Sequence, residues 1–85
     1  MQIIFLPKFS RHFKKLSEQV RFLAEKKIKI FSENPSDPRL HLHKLHGELE
    51  GLHAFYLSYD IRVIVDIKTS EYAYLVDIGS HNIYD

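Results

Sequence analysis

The sequence predicts an α+β domain with a short first strand, a two-helix hairpin and then an antiparallel sheet packed on the helices. Three observations carry this. Apolar residues recur at helical spacing between Lys8 and Asn34, the period falls to two beyond Pro38, and turn residues cut that second half into short segments. A chain of 85 residues fits one domain spanning residues 1–85. Its 45% hydrophobic and 27% charged composition excludes a disordered or fibrous chain. There is no cysteine, so neither a disulfide frame nor a thiolate metal site is available, and a reducing, cytoplasmic setting is expected. No apolar run approaches the ~18 residues of a membrane span.

Gln2 to Leu6 reads as a strand that Pro7 ends, not as a leader, because charge does not precede the apolar stretch. Phe9, Phe13, Leu16, Val20 and Leu23 then follow four, three, four and three apart and draw one helical stripe. Lys27 takes the next slot before Ile30 and Phe31 resume. Ser17 offers an N-cap in mid-run, and one unbroken helix would outreach so small a sheet, which favours a hairpin joined near residue 17. Asn34-Pro35-Ser36-Asp37-Pro38 stops the helix. From Leu40 to Leu45 the alternation suggests a strand, and Gly47 and Gly51 bracket a turn or bulge. Leu52 to Tyr59 reads as a strand with His53, Phe55, Leu57 and Tyr59 on one face. The next strand sets Ile61, Val63, Val65 and Ile67 against Asp60, Arg62, Ile64 and Asp66. Lys68 to Glu71 connects it to a last strand, Tyr72 to Ile78, with a turn from Gly79 to Asn82. With helices on one face of the sheet, the other is left as an open, concave surface.

Charge is divided along the chain. Residues 1–47 carry ten Lys/Arg and four Asp/Glu, whereas residues 48–85 carry two and seven. Such a split suggests a basic face able to meet a polyanion, or simply the solvated side of a lysine-rich helix. Arg62 stands in an apolar strand where burial alone would select valine or threonine. Its planar fork suits phosphate oxygens, and a structural pair with Asp60 or Asp66 is the alternative. His81 follows Gly79-Ser80 and can hold or give a proton near neutral pH, or serve as a polar surface group. Tyr84 can stack on an unpaired base or pack back on the sheet. His41-x-His43-x-x-His46 would set two imidazoles on one strand face, but with no cysteine and several lysines nearby surface histidines explain it better than a metal site. His43 as a single polar group aimed at the open face is the other option of interest, and His53, on a face with Phe55 and Leu57, fits a half-buried structural role.

Taken together, several segments resemble the RelE/ParE toxin superfamily of bacterial toxin–antitoxin modules, and within it the YafQ-like branch of RelE-type mRNA interferases. They are His43-Lys44-Leu45-His46-Gly47, Glu50-Gly51-Leu52, Tyr59-Asp60-Ile61-Arg62-Val63-Ile64 and Leu75 to Tyr84. Phe9, Phe13-Lys14-Lys15-Leu16 and Asn34-Pro35 match the helical part. The resemblance implies the α+β fold above and cleavage of messenger RNA in the ribosomal A site with no metal or other cofactor. It also implies roles for single residues. His43 matches a histidine before the Leu-x-Gly element, Asp60 an acidic residue ahead of the arginine strand, and Arg62 an arginine used on the phosphate. His81 matches a Gly-Ser/Thr-His position, and Tyr84 a terminal aromatic that stacks on substrate. Lys44 is expected among the substrate-binding residues. Tyr56 stands where the YafQ-like branch has a functional histidine, and its phenol can still hydrogen-bond RNA.

RNA carries its own nucleophile, the 2′-hydroxyl. The protein need only remove that proton, stabilise charge on the phosphate and protonate the leaving 5′-oxygen. The resemblance implies that His43 and His81 share the proton work, that Asp60 assists and that Arg62 holds the phosphate. The rival expectation is a ParE-like inhibitor of DNA gyrase, in which Arg62 is structural and no RNA is cut. Expected partners are a cognate antitoxin protein, in a hetero-oligomeric complex, together with the ribosome and mRNA.

Overall fold

A computed structural model describes residues 1–58 and 60–80. The chain runs through β1 (Gln2–Phe5), α1 (Pro7–Lys14), α2 (Glu18–Glu33), a 3-10 turn (Pro38–Leu40), β2 (His43–Lys44), a second 3-10 turn (Gly47–Leu49), β3 (His53–Tyr56), β4 (Ile61–Ile67) and β5 (Tyr72–Ser80). Pro7 occupies the first turn of α1, where its missing N–H and fixed φ are harmless. Ser17 caps α2 by accepting from the Val20 amide at 3.2 Å, as its position in the sequence suggests. The Arg21 guanidinium donates to the Leu16 carbonyl and closes the joint between the helices. After α2, Asn34 Oδ1 accepts from the Ser36 amide, and Asp37 Oδ1 from that of Arg39, so two short side chains turn the chain toward the sheet.

The sheet has the order β1-β5-β4-β3-β2. Four of its strands form an antiparallel run, but β1 pairs with β5 in parallel, from Gln2 beside Tyr72 to Phe5 beside Leu75. The expected antiparallel sheet is therefore mixed. The connection from β1 through both helices carries the chain to β2 at the opposite edge, and the antiparallel run back from β2 brings β5 beside β1 in the same direction. A register shift between Ile64 and Val65 leaves Val76 as an extra residue in β5.

Phe9, Ala24, Ile28 and Phe31 from the helices pack on Phe55, Val63, Val65, Ala73, Leu75 and Ile78 from the sheet. Phe31 and Phe55 stack with centroids 5.1 Å apart at its centre, a geometry worth about 0.5–1.5 kcal/mol beyond area alone. The alternation assigned to β4 is observed, since Val63 and Val65 enter this core while Ile64 enters another. That second cluster, Leu45, Ala54 and Ile64 with Leu49, Leu52 and Val76, lies on the face expected to be open. The segment around Gly47 and Gly51, both at positive φ, folds over part of that face. The expected strand from Leu40 to Leu45 shrinks to His43–Lys44, because Leu40 ends a 3-10 turn and His41 adopts left-handed backbone (φ 53°, ψ 44°). Gly79 and Ser80, read from the sequence as a turn, continue β5 because Ile61 and Arg62 remain opposite to pair with them. No helix among the described residues is long and apolar enough to cross a membrane.

Candidate functional site

Arg62 lies near the start of β4, directly across from Tyr56 on β3 and from Gly79 on β5. A neighbour without a side chain leaves the β5 side of the guanidinium uncrowded. Arg62 is only 6% exposed, its Cζ stands 4.3 Å from the centroid of the Tyr56 ring, and its Nε and Nη1 have no hydrogen-bond partner among the described residues. Cation–π contact replaces some lost hydration. It does not satisfy N–H donors, and each buried donor left unpaired costs about 1–3 kcal/mol. The alternative reading, a structural pair with Asp60 or Asp66, is not what is seen among the described residues. Asp66 pairs with Lys68 at 2.9 Å, and Asp60 is exposed at the bend before β4.

Tyr56 is the hub of the cluster. The His43 ring lies 5.5 Å from it and the His41 ring 5.7 Å, edge-on. His43 Nδ1 is 3.0 Å from the His41 carbonyl oxygen. A carbonyl only accepts, so Nδ1 carries the proton, and in the neutral ring the lone pair is on Nε2. The left-handed backbone of His41 accompanies that contact. Such a conformation costs a non-glycine residue about 1–3 kcal/mol and concentrates at functional sites. Lys27, Arg39, His41, Tyr56, Ser58 and Arg62 line one hollow of about 470 Å³.

The expected residues thus divide into three groups. His43, Tyr56 and Arg62 come together. Lys44, on the adjacent position of the two-residue β2, lines a different hollow with His46, Glu50 and His53. His81 and Tyr84 lie outside the described residues, as does Tyr59. The His41, His43 and His46 set does not converge, because His46 belongs to the Lys44 hollow while His41 and His43 flank Tyr56. No group of three or more His, Asp or Glu among the described residues is placed to share a metal ion. Burial, then the nearby Lys44 and His43, push His53 below the usual histidine value, against an opposing pull from Asp66.

Lys27, Arg39 and His41 were not singled out as substrate residues. Lys27 had left a trace, as the residue that breaks the apolar stripe of α2, and that break turns its ammonium to the hollow. Asp77 was also passed over. It is 2% exposed, takes a contact from His12 Nδ1 at 2.5 Å and from Lys8 Nζ at 3.5 Å, and accepts from the Ile78 amide. A carboxylate inside an otherwise apolar strand was the available signal.

No protein-family model matches the chain, and no curated protein sequence matches it. Solved structures do. YafQ from E. coli strain BL21(DE3) superposes with a TM-score of 0.81 at 15% identity, covering 98% of this chain and 96% of that one. A YoeB/ParE toxin from Agrobacterium tumefaciens gives 0.80 at 10% identity over 95% and 99%. The toxin–antitoxin complex RelBE2 from Mycobacterium tuberculosis gives 0.76 at 17% identity over 94% and 96%. Nearly complete coverage in both directions, with the same strand–two-helix–sheet order, means that this chain has the RelE/ParE-type toxin fold.

Proposed function

We propose that the chain is the toxin of a type II toxin–antitoxin pair and acts as a ribosome-dependent endoribonuclease on mRNA in the A site. The observation that carries this reading is Arg62, a buried guanidinium with two nitrogens unpartnered among the described residues, set against a tyrosine that two histidines flank. A fold needs no such arrangement for stability, whereas a phosphodiester supplies the missing acceptors and a base to stack.

In the proposed step, His43 Nε2 takes the proton of the 2′-hydroxyl. The 2′-oxygen attacks phosphorus, the bond from phosphorus to the 5′-oxygen breaks, and His81 as imidazolium protonates the departing oxygen. A 2′,3′-cyclic phosphate and a free 5′-hydroxyl result. Arg62 neutralises charge on the non-bridging oxygens, where preorganised donors are worth most. The hydrogen bond from His43 Nδ1 to the His41 carbonyl supports the base role, because it leaves Nε2 as the acceptor. Asp60 assists by charge, Tyr84 by stacking on a base, and Lys44 by meeting the RNA outside the Arg62 hollow. The partner is an antitoxin that silences the toxin, in line with the neighbour solved as a toxin–antitoxin complex. The setting is the cytoplasm, where translating ribosomes are.

Toeprinting of translating ribosomes tests the reading. The wild-type chain is expected to cut within the A-site codon, and Arg62→Ala to cut about 10²–10³-fold more slowly. Full-rate cutting by Arg62→Ala, or gyrase-dependent DNA breaks without RNA cleavage, would overturn it, the second in favour of the ParE-like alternative.

A further inference from the structure

We propose that the α2 side of the Arg62 hollow is a second phosphate subsite, built from Lys27, Arg39 and His41, for the RNA phosphate next to the one Arg62 holds. The inference rests on the reading of Arg62 as a phosphate ligand and adds a separate set of residues to it.

Three features of the hollow point the same way. It brings three permanent cations, Lys27, Arg39 and Arg62, to one lining that contains no carboxylate among the described residues. Like charges gathered this way repel, and an anion between them removes the repulsion. The two outer cations are also held in place. Asp37 outside the lining grips Arg39 through Nε at 3.0 Å and Nη2 at 2.8 Å, which leaves the Nη1 edge for another acceptor. Arg39 in turn holds the Asp37 carboxyl at about 2, so the grip persists at any physiological pH. Lys27 Nζ donates to the Arg39 backbone carbonyl at 3.2 Å, which tethers the ammonium to that turn with two protons to spare. Third, His41 accepts a strained backbone that sets its ring edge-on to Tyr56 in the same hollow. At about 470 Å³ the space falls in the ~300–1,000 Å³ range of small-molecule sites, ample for one nucleotide unit.

An acidic peptide would satisfy the same cations. RNA fits better, because the same lining carries the Tyr56 ring, with two imidazoles beside it. Flat groups of this kind stack on bases and have no counterpart in a run of carboxylates.

The test uses the full chain and two uncleavable probes, a 2′-O-methyl dinucleotide with one internucleotide phosphate and the trinucleotide with two. The trinucleotide is expected to show a salt dependence of log Kd steeper by about 0.7, the increment for one added phosphate contact on a single strand. In a Lys27→Gln, Arg39→Gln chain the trinucleotide should fall to the slope of the dinucleotide and lose about tenfold in affinity, while dinucleotide binding stays as it was. Lys27→Arg should keep the steeper slope. A merely structural role for the two cations would leave the slope untouched. An unchanged slope in the double variant overturns the subsite. So does a glutamate-rich peptide that binds the wild type more tightly than the trinucleotide and loses that advantage in the double variant, which assigns the surface to a protein partner. If the slopes behave as expected but the wild-type chain cuts no message, the nuclease reading fails and the subsite stands.

Discussion

Arg62 and Asp77 make an instructive pair. Both are charged, both are almost closed to solvent, and they sit on adjacent strands near the same end of the sheet. Asp77 is fully served from within. His12 and Lys8 reach it from α1, the Ile78 amide donates to it, and the contacts fasten helix to strand across 65 residues of sequence. Arg62 has a tyrosine face and two idle nitrogens. A buried charge used for architecture has its partners in the chain, and removing them is costly. One used for recognition is left incomplete, and the protein tolerates the deficit because a ligand completes it.

The comparison breaks most decisively through substitution at its two members. Arg62→Met should slow cleavage by about 10²–10³-fold while leaving the midpoint of urea unfolding unchanged or raised, since about 1 kcal/mol of unmet hydrogen bonding disappears. A clear fall in stability would show that Arg62 belongs with Asp77. Asp77→Ala should do the reverse. Losing charged hydrogen bonds of this kind costs about 2 kcal/mol, a drop of roughly 10 °C in Tm for a domain of this size. His43→Gln sharpens the active side. The amide can still donate to the His41 carbonyl but offers no base, so cleavage should fall about 10²-fold. The smallest effect belongs to His53, whose folded value is depressed chiefly by burial. The unfolded chain then binds the extra proton first, so the stability contribution is whole above the ordinary histidine value of about 6.5 and is lost as pH falls through the folded value. Urea midpoints should drop between pH 7.5 and 5, and His53→Gln should flatten that slope.

Much of the architecture could be read from local pattern. Ser17 at a break in the stripe, Pro35 and Pro38 around a loop, and strict alternation from Ile61 to Ile67 are short-range signals, and each corresponds to an observed boundary or face. The misses are long-range. Nothing near Gln2–Phe5 states that its partner is Tyr72–Leu75 or that the pairing is parallel. Nothing in the composition of Leu40-His41-Leu42 reveals a histidine in left-handed backbone, because alternation counts residue types and not dihedral angles. At the site, Arg62 stands out as a cation in an apolar strand and His43 within a cluster of histidines, whereas Tyr56 is reached only through the family resemblance. Lys27 and Arg39 did not, since a lysine on a basic helix and an arginine after a proline look like ordinary surface until tertiary packing turns them to one hollow.

The parallel seam between β1 and β5 also sets an order of events. Among the described residues every other element of the fold lies in sequence between the opening strand and its sheet partner β5. Until that partner arrives the opening segment has no ladder to join, Arg62 lacks its neighbour Gly79, and the helices have only part of a sheet to cover. The sheet therefore closes only once β5 is in place, and a chain cut short before Tyr72 carries no finished pocket.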